Sequence, residues 1–200
     1  MRIAVLGTGK IGGGLGERFR EAGHDVVLGS RDVAAGVPYA EAVQGAEVTV
    51  LALPWRVAEE TVATLGGLAG QVVVDTMNPY ANHPGQLALP ELYGTSGLER
   101  LQALLPEARL VKCWNHVYAH TIRTSPDFGG LAATALICGD DQAARSTVAE
   151  LARQIGFDPV DVGDATGARY LEPLAGLMIR RAIPLGGGFE LAFRLLRQTA

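Results

Sequence analysis

At 200 residues, with 48% hydrophobic and 19% charged side chains, the chain is long enough to bury a substantial core, and its composition excludes disorder. A net charge of −4 without a long basic run argues against nucleic acid as a partner, and no apolar stretch reaches the length of a membrane span. The apolar run Ile3 to Leu6 is shorter than a signal-peptide core, and the 2 cysteines, Cys113 and Cys138, sit in strand-like apolar runs. A cytoplasmic protein with buried free thiols is expected.

In chain order, "RIAVLG" reads as a first strand and "GGLGERFREAG" as a helix, with Leu15, Phe19 and Ala22 at helical spacing and Gly23 as its stop. "DVVLG", "EVTVLALP" and "QVVVDTMNP" supply the next strands, with helices at "EAVQGA" and "WRVAEETVATLGGL" between them. A long loop rich in Gly and Pro follows. Then come a helix at "GLERLQALLP", a strand at "RLVKCWN", a strand at "TALICGD", a helix at "DQAARSTVAELARQIG" and a strand at "DPVDVG". "ARYLEPLAGLMIRRAI" and "FELAFRLLRQ" are predicted as closing helices separated by Gly186-Gly187-Gly188. Strands alternating with helices predict a mainly parallel sheet covered on both faces.

Between the first strand and helix lies "GTGKIG", in which Gly7-x-Gly9-x-x-Gly12 is flanked by Thr8, Lys10 and Ile11. The spacing alone is weak evidence. Its place after an N-terminal strand and at the head of a helix makes it a dinucleotide-binding fingerprint, and the fold class is α/β, Rossmann-type and doubly wound, with a C-terminal helical extension. The first glycine makes the turn, the second admits the pyrophosphate and the third lets helix pack on strand, while the helix amino end attracts the phosphates. At the end of the second strand, where an NAD-binding protein carries an acid, this chain reads Gly29-Ser30-Arg31. A carboxylate there would repel a 2′-phosphate, whereas a hydroxyl and a guanidinium would bind it. NADP is the expected cofactor, with Arg31 as a plain surface charge the other reading. By the same argument, Gly29→Asp is the natural change toward NADH.

The stretches "GTGKIGGGLGERFREAGHDVVLGSRD", "LALPW" and "RYLEPLAGLMIR…FELAFRLLR" resemble the NADP-dependent coenzyme F420 oxidoreductase family, whose dinucleotide domain is shared by STEAP-type metalloreductases. The resemblance runs over nearly the whole chain. It implies that Thr8, Ser30 and Arg31 hold the 2′-phosphate, that Pro54-Trp55, after Leu53, lies beside the nicotinamide, and that His116 faces a deazaflavin or flavin. The chain departs from some members in reading "DVAAG" after the Ser-Arg pair, where they carry further basic residues, and its "MNPYANHPGQLALPELYG" loop does not match the archaeal enzymes.

Asn78 and Pro79 follow the fourth strand and Asn115 and His116 the fifth, so both pairs fall at strand carboxyl ends, where ligands of open α/β sheets bind. Hydride transfer between two rings needs orientation rather than a nucleophile, which assigns Asn115 and His116 positioning roles. For His116 a capped loop histidine is the alternative, and for Trp55, core packing. Asp75 is expected to bond nearby backbone, and no histidine shows metal-ligand spacing. The expected function is hydride exchange between NADP(H) and F420, FMN or FAD; a non-catalytic NADP(H) sensor is the alternative. We expect one domain over 1–200, with the dinucleotide core in 1–140 and the acceptor side or dimer contact completed by 141–200. The apolar stripe Leu171, Leu174, Leu177 and Met178, with Phe189, Leu191, Phe193, Leu195 and Leu196 beyond it, predicts a homodimer. The other partner is a small-molecule acceptor, with no membrane and no nucleic acid.

Overall fold

The computed structural model of the chain describes residues 1–66, 68–83, 86–88, 94–196 and 198, with the backbone alone for 81–83 and 86–88. Strand β1 (Arg2–Leu6) leads to α1 (Lys10–Glu21), β2 (Asp25–Gly29), the short α2 (Tyr39–Ala42), β3 (Val48–Leu51), α3 (Trp55–Thr64) and β4 (Val72–Asp75). Two three-residue antiparallel strands, β5 (Ala81–His83) and β6 (Gln86–Ala88), lie where a loop was expected; 84–85 and 89–93 of that stretch are outside the described residues. Then come α4 (Gly97–Leu104), β7 (Arg109–Lys112), α5 (Ala119–Arg123), β8 (Thr134–Ile137), α6 (Gln142–Gln154), β9 (Asp158–Asp161), a 3₁₀ turn (Ala165–Gly167) and α7 (Ala168–Ala182). His120, expected in a loop, sits in α5.

Five strands pair in the order β2-β1-β3-β4-β7, all parallel. Their apolar runs alternate between two cores. Ile3, Val5, Val48, Val50, Val72 and Val74 pack with Leu15 and Phe19 of α1 and Val148 and Leu151 of α6. Ala4, Leu6, Leu51 and Val73 pack with Ala58 and Val62 of α3, Leu98 and Leu101 of α4 and Leu171 of α7. Burial on both faces is why these strands read as unbroken aliphatic stretches, each fully buried side chain contributing about 1.5–3 kcal/mol. The parallel pair β8–β9 extends the sheet in the opposite sense: Lys112 N–H donates to Cys138 O at 2.8 Å, and Cys138 N–H to Lys112 O at 3.2 Å. Cys113 and Cys138 are buried free thiols in opposite cores. The strand order reverses between β1 and β3, which opens a crevice at their carboxyl ends.

The last helix predicted over 189–198 does not form among the described residues 189–196 and 198. Gly186 and Gly188 adopt φ of 64° and 69° and turn the chain back after α7. The following segment runs beside β8: Thr134 N–H donates to Phe193 O at 2.9 Å, and Leu195 N–H to the Thr134 hydroxyl at 3.0 Å. Arg194 bonds Ala132 O, while Phe193 packs its edge on His116 and Phe189 on Tyr118. An open strand edge offers backbone partners that an isolated helix would not use.

Candidate active site at the strand carboxyl ends

A cleft of about 450 Å³ lies over the reversal point, walled by the β1–α1 loop on one side and by Ser30, Arg31 and Leu53-Pro54 on the others. Each fingerprint glycine has its own steric reason. At Gly7, φ is 107°, and a Cβ would lie 2.4 Å from Ala52 O. At Gly12 a Cβ would lie 1.9 Å from Gly7 O, so only glycine lets α1 pack this close to its own loop. At Gly9 a Cβ would meet no atom within 4 Å, so the space before this residue is open. Gly9 also N-caps α1 without any side-chain bond, whereas α6 is capped by Asp141 and α4 by Ser96. The first-turn N–H groups of α1 therefore face the cleft without an intrahelical partner, at the positive end of the helix dipole.

Across the cleft, Ser30 is 9% exposed, and its hydroxyl accepts the Asp32 N–H at 3.0 Å, leaving its own proton to donate. Asp32 is committed to the turn, accepting Ala34 N–H at 3.0 Å. Arg31 and Lys10 are exposed cleft-lining cations that form no ion pair among the described residues. This donor set fits a dinucleotide phosphate group, and no carboxylate ends β2. Gly29 is buried, and a Cβ there would lie 2.7 Å from Leu6 Cδ2 and 3.0 Å from the Tyr39 ring. A side chain at the position expected to accept an Asp would force buried Leu6 and the Tyr39 ring to shift.

The remaining candidates stand on neighbouring strand ends and are not part of this lining. Trp55 opens α3 behind Pro54, but its ring lies against α4, where a Gly97 Cβ would come within 3.1 Å of it, and the Arg100 guanidinium sits 5.7 Å above it. Packing, rather than a wall of the cleft, is what the ring provides. Pro79 is buried beside the half-buried Asn78. Asn78 Nδ2 donates to Asn115 O at 2.8 Å; Asn115 Nδ2 donates to Asn78 Oδ1 at 3.0 Å and to Leu171 O at 2.9 Å. The preceding Trp114 has φ of 56°, a conformation costing a non-glycine residue about 1–3 kcal/mol, and it turns the chain into this arrangement.

His116 is 3% exposed and does not face the cleft. Its Nε2–H donates to Thr134 O at 3.1 Å, and Nδ1 lies 3.4 Å from Asn115 Oδ1. Burial drives its pKa down to about 4, so the imidazole is neutral. The ring is packed against Phe193 and bonded to Thr134 O, which leaves it buried away from any acceptor in the cleft.

A buried ionic cluster escaped the sequence reading. Lys112 Nζ lies 2.6 Å from Asp75 Oδ2 and 2.9 Å from Glu172 Oε1, with exposures of 0%, 0% and 2%. It also donates to Met77 O at 2.9 Å. Burial alone would depress the ammonium, but the two carboxylates outweigh it and hold Lys112 above its ordinary value. A lysine inside the apolar run "RLVKCWN" was the available signal; its partners lie far away in sequence.

The glycine loop and its surroundings match the family model described as NADP oxidoreductase coenzyme F420-dependent over residues 2–79. The F420-dependent NADP reductase of Methanothermobacter marburgensis is 30% identical over 209 residues, covering 90% of this chain and 91% of that one. The chain belongs to this family. The family is one of NADP-dependent oxidoreductases, and the match extends well past the glycine loop. Rat metalloreductase STEAP3 is 32% identical over 184 residues, but the chain spans only 36% of that protein's length. A crystal structure of a putative F420-dependent NADP reductase from Arthrobacter sp. FB24 superposes with a TM-score of 0.89 at 30% identity, over 98% of this chain and 99% of that one.

Proposed function

We propose that this family member transfers hydride between NADP(H) and F420, with FMN or FAD as lesser candidates for the acceptor. One observation carries the reading: the uncapped amino end of α1, with open space before Gly9 and Lys10 as its first residue, faces Ser30 and Arg31 across a single cleft. Gly7, Thr8, Gly9, Lys10 and Ile11 would hold the pyrophosphate, Gly12 would keep α1 close, and Thr8, Ser30 and Arg31 would hold the 2′-phosphate. Leu53 and Pro54 would border the nicotinamide end, and Asn78, Pro79 and Asn115 would shape the adjoining acceptor side. The bound nicotinamide supplies the hydride; the protein supplies binding, orientation and exclusion of water. The names of the relatives favour F420 as the acceptor.

The chain would act as one unit, because Leu171 and Glu172 of α7 return to the ends of β4 and β7. Exposed Leu177, Ile183, Leu185, Phe189 and Leu196 support a homodimer, and the two buried free thiols support a cytoplasmic setting. No helix among the described residues is long and apolar enough to cross a membrane. The test is titration with NADPH and NADH, followed by anaerobic hydride exchange with F420, FMN, FAD and ferric chelates. About a hundredfold preference for NADPH and oxidation of bound NADPH by F420 are expected. Equal affinities would remove the 2′-phosphate reading, and NADPH binding without oxidation by any acceptor would favour the sensor.

A further inference from the structure

Asp75 and Lys112 are the last residues of β4 and β7, and they stand opposite each other in the register. Between Arg109 at the amino end of β7 and this last pair, the ladder is aliphatic (Val73 with Leu110, Val74 with Val111), so Asp75 and Lys112 are the only oppositely charged pair in its register. Lys112 uses all of its N–H donors: one to Asp75, one to Glu172 and one to Met77 O. Asp75 Oδ1 accepts Met77 N–H at 2.8 Å. Met77 is therefore held by both of its backbone polar groups, immediately before Asn78. Glu172 brings α7 into the same cluster and accepts Gly97 N–H at 3.0 and 3.1 Å, joining the amino end of α4. Above this ionic layer lies a neutral one, in which Asn78, Asn115 and Leu171 O are bonded to one another. The two layers share the same elements, with Met77 beside Asn78 and Glu172 beside Leu171.

Three buried charged groups are a poor way to stabilise a fold, since well-packed apolar residues do as well or better. What they provide is fixed geometry. Resting on the hydride-transfer reading above, we propose that Lys112 is a positioning residue, which with Asp75 and Glu172 clamps Met77 and thereby sets where Asn78 and Asn115 stand beside the cleft. A saturated, solvent-excluded ammonium has no donor left for a reacting atom, so Lys112 acts only through this loop.

Lys112→Met alone leaves two buried carboxylates unpaired and is expected to unfold the chain. The informative variant joins Asp75→Asn, Lys112→Met and Glu172→Gln. Its new amide oxygens still accept from Met77 and Gly97, while the ammonium contact to Met77 O and one of the two Glu172 contacts to Gly97 N–H are lost and two carboxamide NH2 groups are buried in their place. The expected result is a folded protein that binds NADPH within about threefold of the parent, with turnover at least tenfold lower. In the cofactor-free protein, the carboxamide protons of Asn78 and Asn115 should exchange with solvent at least tenfold faster. Folded protein with parental turnover and parental carboxamide exchange would overturn the proposal, whereas failure of the parent to bind NADPH would instead overturn the reading of the cleft. Should the triple variant not fold, hydrogen exchange in the parent decides: the Met77 amide and both carboxamides opening at one common rate supports the clamp, and carboxamides exchanging freely beside a protected Met77 amide defeats it.

Discussion

Asn78 and Asn115 hold each other across the ends of β4 and β7, one donating to a backbone carbonyl at 2.8 Å and the other to a side-chain oxygen at 3.0 Å. Because Asn115 also donates to Leu171 O, a single carboxamide joins two strand ends to α7. Asn115→Ala leaves buried acceptors unpaired and should destabilise the protein by about 1–3 kcal/mol. If the pair shapes the acceptor side, turnover should fall about tenfold while the NADPH dissociation constant stays nearly unchanged, because the phosphates are held elsewhere. Steady-state kinetics combined with a cofactor titration checks the split.

The first half of the fold was legible because the residues that specify it are local. Aliphatic runs marked β1, β2, β3 and β4, and the glycine spacing marked the loop before α1. The tail was not. Its apolar residues Phe189, Leu191, Phe193 and Leu195 alternate with a period of two, which is a strand pattern, but no neighbouring strand is visible in the sequence to favour it over a helix. Thr134 on β8 supplies that neighbour. The site divides the same way. Ser30 and Arg31 were identifiable from their place after the second strand, and Thr8 from the family resemblance, whereas Lys112, Asp75 and Glu172 become a site only when β4, β7 and α7 are side by side. Trp55 and His116 show the limit of placing a residue at a strand end: both stand there, and both turn inward.

His116 gives the protein an acid-sensitive joint. Its pKa falls from 6.5 to about 4 on burial, so the unfolded chain binds a proton more readily than the folded one between those values. This contribution is complete above about pH 6.5 and is lost as pH falls toward 4, amounting to about 3 kcal/mol across that window. His116→Gln, which keeps a donor near Thr134 O but does not titrate, should be less stable than the parent at pH 7, and the gap should narrow toward pH 4. Denaturant melts at both pH values test this; a constant gap would show that His116 is not buried in its neutral form.

At the 2′-phosphate end, Arg31→Ala should raise the NADPH dissociation constant at least tenfold and leave NADH nearly unchanged. A charge-assisted contact is worth about 1.5–3 kcal/mol when buried and less at an exposed residue such as Arg31. The loss should therefore shrink as salt is raised. For converting the preference, Ser30→Asp is the better substitution than Gly29→Asp, since a Gly29 Cβ would strike Leu6 while Ser30 already carries a side chain into the cleft. Ser30→Asp should weaken NADPH more than tenfold and strengthen NADH severalfold.

The glycine loop separates a folding requirement from a binding one. Gly12→Ala puts a methyl 1.9 Å from Gly7 O, a backbone atom that cannot give way, and should cost about 3 kcal/mol or more. For a chain of this size, that lowers the melting temperature by about 6–12 °C before any cofactor is added. Gly9→Ala meets nothing within 4 Å, and Gly9 has φ of −70°, a conformation alanine adopts freely. Its melting temperature should stay within about 2 °C of the parent, because the small gain from a stiffer unfolded chain offsets a slightly poorer N-cap. The added methyl does project into the space before the amino end of α1, so NADPH affinity should fall at least tenfold in this fully folded protein. Thermal melts and NADPH titration on the two variants resolve the matter. A Gly9→Ala protein that keeps parental affinity would mean the phosphates do not approach that residue, and would move the dinucleotide away from the head of α1.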